Sequence, residues 1–361
     1  MPMHFFTIHT PKGTRIIGDG YPAFIVAEMS SNHQQSYDKA VAIVKAAAEA
    51  GADAIKLQTY TPESMTINCD KEWFHVGGGG NPSSWSQETL YSIYQKAFTP
   101  WEWHAPLKDL AEKLGLVFFS TPFDHSAVDF LETLNVPLYK ISSYEVTHLP
   151  LLKKIASTGK PIILSTGFAR QEEVELALKT ILENGGKDIC VLHCVTGYAQ
   201  EPNPAEINLK TMLDIRDRYR VVCGFSDNYG GIEVPLQAAI MGASIIEKHV
   251  VAAVDDNTFD AHFSLDVKQL KQLVQAVRRV ETITGRVNYG TQGKAEEYNI
   301  RYRRSLFVVE DINRGETFTT KNVRVIRPSF GLEPKYYEDI LGKKANQNIG
   351  TGTPLQWNLI G

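Results

Sequence analysis

The chain has 361 residues, and its 37 lysine and arginine residues against 41 aspartate and glutamate residues give a formal net charge of −4. This balance argues against a nucleic-acid-binding protein held by bulk positive charge. Hydrophobic residues make up 43% of the chain and charged residues 22%, which is typical of globular domains and excludes intrinsic disorder. The length suits one large α/β barrel with a small module, or two medium domains.

Signals for export or membrane insertion are missing from the sequence pattern. No apolar run approaches the roughly 18 residues that span a bilayer, and Met1–Gly20 lacks the apolar core and cleavage site of a secretory signal. The four cysteines, Cys69, Cys190, Cys194 and Cys223, show no CxxC spacing. We therefore expect a reduced, cytoplasmic protein with no disulfide framework, no cysteine zinc site and no membrane partner.

Eight short, apolar, β-prone runs alternate with stretches of helical periodicity. The runs predict strands at Phe24–Ala27, Ala54–Gln58, Val117–Ser120, Leu138–Ile141, Pro161–Ser165, Ile189–His193, Val221–Ser226 and Ser244–His249. The predicted helices are Tyr37–Ala50, Glu102–Leu114, Ser126–Leu134, Leu149–Ser157, Gln171–Glu183, Ala205–Tyr219, Ile232–Met241 and Val267–Thr284. Such alternation indicates a parallel sheet covered by helices. We predict an α/β fold of the (β/α)₈ TIM-barrel type, with a doubly wound open sheet as the alternative.

The composition changes after Gly285, which suggests a domain boundary. We predict a barrel with an N-terminal β-hairpin over residues 1–285, a polar linker over 286–302 and a small β-rich module over 303–361. Within the module the β-prone runs are Leu306–Val309, Asp311–Gly315, Val323–Ile326 and Gly350–Pro354. A module of this size buries only a modest core alone, so we expect it to dock against another surface.

In a barrel the active site lies at the carboxyl ends of the strands, and here every predicted strand ends in polar or ionisable residues. Two lysines, Lys56 and Lys140, stand inside otherwise apolar runs, although lysine is rarely buried without a partner. Lysines surrounded by serine and threonine hydroxyls indicate a small polyanion, such as a phosphate or carboxylate. A Schiff-base lysine is the rival interpretation.

His249 ends the last strand, where metal ligation, acid–base chemistry and plain packing all remain open. A metal site needs further ligands, and the position that offers one is Asn228, a neutral oxygen donor at the end of the preceding strand. The insertion Thr59–Trp101 contains four glycines at 77–80 without the lysine and serine of a P-loop. We interpret this glycine run as a mobile loop over the barrel mouth.

Several segments together resemble the sialic acid synthases over nearly the whole chain. They are Phe24–Glu28 with Ser31–His33, Ala50–Thr59, Phe119–Phe123, Tyr139–Glu145, Leu164–Gly167, His193–Cys194 and Ile246–His249. The C-terminal module resembles the antifreeze-like (SAF) domain of these synthases. Further segments are similar to the pseudaminic acid synthase branch, namely Glu28–His33, Thr99–Trp103, Arg327–Leu332 and Pro334–Tyr337.

The resemblance implies a transferase that condenses phosphoenolpyruvate with 2,4-diacetamido-2,4,6-trideoxy-L-altrose to give pseudaminic acid and phosphate. It implies a divalent metal, commonly Mn²⁺, with Mg²⁺ and Co²⁺ as alternatives, and a domain-swapped homodimer. The phosphoenolpyruvate residues that it implies are Lys56, Thr121, Lys140, Ser143, Ser165 and Ser226. The sugar residues that it implies are Gln58, Tyr198, Asp260 and, from the partner subunit, Arg327. By the same resemblance Glu28, Lys56 and His249 are catalytic, and His249 and Asn228 hold the metal.

The chain departs from the family pattern at several of these positions. Asn228 stands where the family has a second histidine ligand, so we expect weaker metal binding. Ala199 replaces a proline, and Thr258–Asp260 replaces Gly-Pro-Asp. His262 is a candidate for the missing imidazole. The alternatives left open are a synthase of another nonulosonate, such as legionaminic or N-acetylneuraminic acid, and a non-catalytic sugar-binding homologue.

Overall fold

The computed structural model describes residues 4–77, 88–253 and 258–361, and most of the predicted glycine loop at 77–80 lies outside them. The chain forms two compact units, the first ending at Thr284 and the second comprising Gly285–Gly361. Within the described residues, no helix has both the length and the apolar character needed to cross a membrane.

The first unit begins with an antiparallel hairpin. It continues as the predicted barrel, which is closed and has eight parallel strands. The hairpin strands are β1 (Phe5–Thr10) and β2 (Gly13–Gly18). The barrel strands are β3 (Phe24–Glu28), β4 (Ala54–Thr59), β5 (Val117–Pro122), β6 (Tyr139–Ile141), β7 (Ile162–Ser165), β8 (Ile189–Ala199), β9 (Val222–Tyr229) and β10 (Ile245–His249). Each strand pairs with the next along the chain, and β10 closes the ring against β3.

Helices surround the barrel in the predicted order. They are α1 (Tyr37–Ala50), α2 (Pro62–Met65), α3 (Leu90–Ala97), α4 (His104–Lys113), α5 (His125–Thr133), α6 (Leu149–Ala156), α7 (Gln171–Glu183), α8 (Pro204–Ile207), α9 (Lys210–Tyr219), α10 (Glu233–Ile240) and α11 (Val267–Thr284). Local chemistry fixes their ends. The side chain of Ser36 accepts a hydrogen bond at the start of α1, and Gly51 ends that helix with a left-handed φ of 84°.

The structure corrects several predicted boundaries. The strands β8 and β9 run past His193 and Ser226 because the two remain paired, with one irregularity, as far as Ala199 and Tyr229. The predicted helix Ala205–Tyr219 is two helices, since Asn208 takes a left-handed φ of 45° between them. The predicted insertion Thr59–Trp101 contains α2 and α3.

Inside the barrel, the inward positions of each strand lie two residues apart, as the pleat requires. The inward residues nearest the strand starts are apolar and form one cluster with Phe6, Ile8 and Ile17 of the hairpin. The hairpin therefore fills the floor of the barrel, at the amino ends of the strands. A second cluster packs the outer faces of the strands against the helices.

The second unit has a small core of its own. The strands β11 (Ser305–Val308) and β12 (Val323–Ile326) pair antiparallel. The predicted strands Asp311–Gly315 and Gly350–Pro354 were wrong, because each contributes isolated bridges only, at Ile312 and Pro354. The helix α12 (Lys294–Asn299) occupies part of the predicted linker, and α13 (Tyr337–Ile340) lies further along the unit.

Candidate active site

Polar residues occupy the inward positions nearest the barrel mouth. On β3 the inward series begins with Phe24 and Val26, which belong to the floor cluster, and ends with Glu28. On β4 it begins with Ala54 and continues with Lys56. The same periodicity of two that makes the floor apolar therefore gathers ionisable side chains above it.

The ammonium group of Lys56 is the centre of one set of contacts. Its Nζ atom lies 2.6 Å from Glu28 Oε2 and 3.3 Å from Thr121 Oγ1, on the two flanking strands. Glu247 Oε1 lies 3.8 Å away. The lysine is buried, so these partners supply the compensation that a buried charge needs.

A second buried lysine, Lys140, lies on β6, two strands away from Lys56. Its Nζ donates to Ser165 Oγ at 2.7 Å and to the carbonyl of Ile141 at 3.0 Å, and it lies 3.7 Å from Glu247 Oε1. The structure thus brings together the two lysines that the sequence singled out, with a serine hydroxyl on β7.

Glu247 connects the two lysines, and the sequence analysis did not include it among the site residues. Its Oε1 also accepts a hydrogen bond from Ser226 at 3.1 Å, and its Oε2 is buried without a hydrogen-bond partner. Glu247 lies two residues before His249 on β10, so the strand periodicity was the signal that places both on the same face.

Burial and charge set the ionisation of this cluster. Burial raises the pKa of Glu28, although Lys56 counteracts part of the effect. Burial alone would lower the pKa of Lys56, but the carboxylates of Glu247 and Glu28 outweigh it and raise that pKa. For Lys140 burial prevails and its pKa is lowered. Two cationic sites of unequal proton affinity therefore face one pocket.

The predicted sugar residues Gln58 and Asp260 are linked through Ser30. Gln58 Nε2 donates to Glu28 at 3.0 Å and contacts Ser30 Oγ at 3.1 Å. Ser30 and Ser31 donate to Asp260 Oδ2 at 2.5 and 3.1 Å. Neither serine was predicted as a site residue. Ser30 takes a left-handed φ of 47°, a conformation that often marks functional sites.

Ser143 lies buried in a tight 3₁₀ turn at the end of β6. Gly167 packs so closely on it that a Cβ atom at Gly167 would overlap the Ser143 side chain. The buried thiol of Cys194 accepts a hydrogen bond from the Asn228 amide nitrogen at 3.4 Å. Burial raises the pKa of this thiol, and the nearby hydroxyls of Ser143 and Ser226 offset part of the effect. Cys194 is thus a further inward residue of the site, two positions after Leu192 of the floor cluster.

The residues expected to hold a metal are His249 and Asn228. Burial, followed by the charges of nearby lysines, lowers the pKa of His249 far below its ordinary value, so the imidazole is neutral. Its Nδ1 is buried without a hydrogen-bond partner and lies 3.9 Å from Asp260 Oδ2. The Asn228 amide nitrogen donates a hydrogen bond to the Val195 carbonyl oxygen at 3.0 Å. The amide oxygen Oδ1 is therefore the Asn228 atom available to coordinate a metal.

A free imidazole nitrogen with one amide oxygen fits a divalent cation that takes its other ligands from substrate or water. In the described part of the chain, no group of three or more histidine, cysteine, aspartate or glutamate side chains is arranged to hold a metal by itself. The candidate replacement, His262, has its Nε2 2.9 Å from the Tyr198 carbonyl oxygen and is exposed. Its ring is therefore engaged away from the expected ligand pair.

Two polar residues near the strand ends, Lys248 and His193, point away from the pocket. Lys248 Nζ lies 2.8 Å from Asp227 Oδ2, and both side chains are completely buried on the helix-facing side of the barrel. His193 Nε2 contacts the Ile207 carbonyl oxygen at 2.7 Å. Alternate residues of a strand face opposite sides, which explains why Lys56 and Lys248 have different surroundings.

The remaining predicted residues are Tyr198 and Arg327. Tyr198 lies within the irregularity between β8 and β9, and its ring centroid lies 5.2 Å from that of Phe263. Arg327 belongs to the second unit, where it is exposed directly after β12.

Comparisons with known proteins agree with this architecture. The model of the NeuB family matches residues 43–289, and the model of the SAF domain matches residues 303–360. The chain is 41% identical over 334 residues to the pseudaminic acid synthase of Helicobacter pylori, covering 92% of this chain and 96% of that protein. It is 36% identical to the N,N'-diacetyllegionaminic acid synthase of Campylobacter jejuni, covering 90% and 96%.

A solved structure shows the same likeness. The N-acetylneuraminic acid (sialic acid) synthetase of Leptospira borgpetersenii, crystallised with citrate, superimposes with a TM-score of 0.68 at 30% identity. The match covers 80% of this chain and 94% of that one.

Proposed function

We propose that this chain, which belongs to the NeuB family, condenses phosphoenolpyruvate with 2,4-diacetamido-2,4,6-trideoxy-L-altrose to give pseudaminic acid and phosphate. The observation that carries the proposal is the pair of buried lysines, Lys56 and Lys140, whose Nζ atoms lie 3.8 and 3.7 Å from Glu247 Oε1. Two ammonium groups among hydroxyls suit the carboxylate and phosphate of phosphoenolpyruvate. Similarity to the pseudaminic acid synthases of Helicobacter pylori and Campylobacter jejuni supports this choice of sugar.

In this proposal the inward polar residues hold phosphoenolpyruvate, and they are Lys56, Thr121, Lys140, Ser143, Ser165 and Ser226. The lysines supply charge and the hydroxyls supply directed hydrogen bonds. Ser165 contacts Lys140, and Thr121 contacts Lys56, so each hydroxyl already lies beside an ammonium group. The substrate would thus bind between groups that are oriented before it arrives.

The reaction joins C3 of phosphoenolpyruvate to the aldehyde carbon of the sugar. Water then adds to the positively charged C2, and loss of phosphate gives the keto acid. Glu28 is held by Gln58 and Lys56, and its raised pKa suits it to exchange a proton with this water. Asp260, fixed by two serines, would position the sugar hydroxyls together with Gln58 and Tyr198.

We further propose that His249 and the amide oxygen of Asn228 hold a divalent cation, Mn²⁺ in the first instance and Mg²⁺ or Co²⁺ as alternatives. Such an ion, when bound, polarises the aldehyde oxygen as a Lewis acid. An amide oxygen is a weaker ligand than imidazole for these metals, so the affinity should be low.

We also propose a domain-swapped homodimer in which Arg327 of the partner subunit reaches the sugar. The exposure of Arg327 and the small core of the second unit support this arrangement. A cytoplasmic location is proposed because Cys190, Cys194 and Cys223 are buried free thiols, which suit a reducing compartment.

The test measures phosphate release from phosphoenolpyruvate with three sugars: the trideoxy altrose, the legionaminic acid precursor and N-acetylmannosamine. Each is run with Mn²⁺ and with chelator, and products are read by mass spectrometry. Release with the altrose and metal supports the proposal. Release with another sugar alone moves the substrate to a different nonulosonate. No release from folded protein would favour the non-catalytic alternative.

A further inference from the structure

A row of aromatic rings runs along the barrel mouth beside the candidate site. Phe168 and Tyr144 meet edge to face with their ring centroids 5.1 Å apart. Burial, together with the nearby Tyr144, raises the pKa of the Tyr198 hydroxyl, and the Tyr198 ring contacts Phe263. Phe263 in turn meets the His249 ring edge to face at 4.9 Å. We call the rings of Phe168, Tyr144, Tyr198 and Phe263 the aromatic wall.

The outer two rings of the wall are exposed, although their backbones are firmly placed. Tyr144 is 59% exposed and Phe168 is 61% exposed. Tyr144 directly follows Ser143 in the 3₁₀ turn, and Phe168 directly follows Gly167, which packs against Ser143. The two rings are thus attached to the residues that form one side of the pocket.

The wall differs in chemistry from the rest of the pocket. The other groups of the pocket are the charged side chains of Lys56, Glu28 and Glu247 and the carboxylate of Asp260. Those groups suit anions and hydroxyls, whereas exposed aromatic faces gain free energy by covering apolar groups. The substrate of the proposed function carries three such groups, which are two acetamido methyls and the C6 methyl.

We propose that Tyr144 and Phe168 bind methyl groups of the acceptor sugar and select a diacetamido 6-deoxy hexose over a hydroxylated hexosamine. This inference rests on the proposed function, since that function supplies the sugar. A pocket that recognises one apolar group typically favours the ligand that carries this group by about tenfold to a few hundredfold. The wall therefore sets sugar choice, while the lysines set phosphoenolpyruvate affinity.

The test uses alditols, which keep the methyl groups of a sugar but have no aldehyde to react. Dissociation constants of the trideoxy alditol and of N-acetylmannosaminitol are measured with phosphoenolpyruvate present. Phe168→Ala should weaken binding of the trideoxy alditol about tenfold and binding of N-acetylmannosaminitol less than about threefold. Phosphoenolpyruvate affinity should not change. The matched control is Phe5→Ala, since Phe5 and Tyr21 form a similar exposed edge-to-face pair in another part of the unit.

Saturation-transfer NMR gives a second readout that does not depend on turnover. Irradiation of aromatic protons should reach the alditol methyl signals in the wild type and lose intensity in Tyr144→Ala and Phe168→Ala. Equal weakening of both alditols, or unchanged methyl signals, would overturn the inference. So would variants that dissociate a dimer without changing those signals, because the rings would then cover a subunit contact. Methyl contacts without phosphate release from the aldehyde sugar would support the wall and contradict the proposed function.

Discussion

The Oε2 atom of Glu28 lies 2.6 Å from the Nζ atom of Lys56, and both side chains are almost completely buried. A buried ion pair adds little net stability, but removing one partner leaves the other charge uncompensated. Here Lys56 also faces Glu247, so its loss would leave two carboxylates in one pocket. We therefore expect Lys56 to contribute both to ligand binding and to the stability of the fold.

Replacing Lys56 tests the proposed role of this lysine in anion binding. Lys56→Met should weaken the binding of phosphoenolpyruvate about a hundredfold, because the anion loses a positively charged partner in a buried site. Isothermal titration of the folded variant measures the affinity, and thermal unfolding measures the cost to stability. An unchanged phosphoenolpyruvate affinity would contradict the role given to Lys56.

The lysine on the outer face of the barrel supplies the matched comparison. Lys248→Met removes the partner of buried Asp227 and should lower the free energy of unfolding by about 3 kcal/mol. Phosphoenolpyruvate affinity should be retained, since Lys248 faces the helices. Adding Asp227→Asn should recover part of the lost stability by removing the unpaired charge. Lost affinity with unchanged stability would mean that Lys248 reaches the pocket.

Acid should destabilise the barrel through a buried histidine beside β4. Burial lowers the pKa of His104 to about 4, from an ordinary value of 6.5. Its Nε2 contacts Thr59 Oγ1 at 2.8 Å and its Nδ1 contacts the Pro100 carbonyl oxygen at 3.3 Å. Between pH 6.5 and 4 the unfolded chain binds more protons, so stability falls as the pH falls through this window.

The expected loss from His104 alone is about 2 kcal/mol between pH 7 and pH 5. Urea unfolding at both pH values measures it. His33, whose pKa burial also lowers to about 4, adds to the loss in the wild type. A His104→Gln variant should show a shallower decline with pH, and a decline as steep as that of the wild type would refute the assignment.

Restoring an imidazole at position 228 tests the metal proposal. Asn228→His should bind Mn²⁺ at least about tenfold more tightly, because imidazole is the better ligand for this class of metal. The free Mn²⁺ signal in electron paramagnetic resonance, with phosphoenolpyruvate present, reports binding without reference to activity. A His249→Gln variant should lose binding in both backgrounds. Equal affinity of the wild type and the Asn228→His variant would show that this position does not face the ion.

The barrel and the family were both predicted correctly from the sequence, because strand and helix patterns and several motifs agree along the chain. Which strand-end residues enter the pocket was less evident. Lys248 and Glu247 are neighbours in sequence, yet one is outside and the other joins the two site lysines. Consecutive residues of a strand face opposite sides of the sheet. An apolar run alone does not show which of its residues face the barrel interior.

Long-range contacts account for the remaining errors. The extra length of β8 and β9 comes from their mutual pairing, which local propensity does not encode. In the second unit, the predicted strand Asp311–Gly315 makes one bridge, from Ile312 to the distant Ile349. Ser30 and Ser31 take part in the site by donating hydrogen bonds to Asp260, which is far from them along the chain and is brought beside them by the fold.

The hairpin that fills the barrel floor also bears on the order of events in a catalytic cycle. Phe6, Ile8 and Ile17 pack against the first inward residues of the strands and close the floor. Ligands therefore reach and leave Lys56 and Lys140 through the barrel mouth. On the proposed function, the smaller substrate sits below the sugar and has to enter first. Phosphate leaves past the product or after it. The kinetics should then be sequential and ordered, with free phosphate competing against phosphoenolpyruvate.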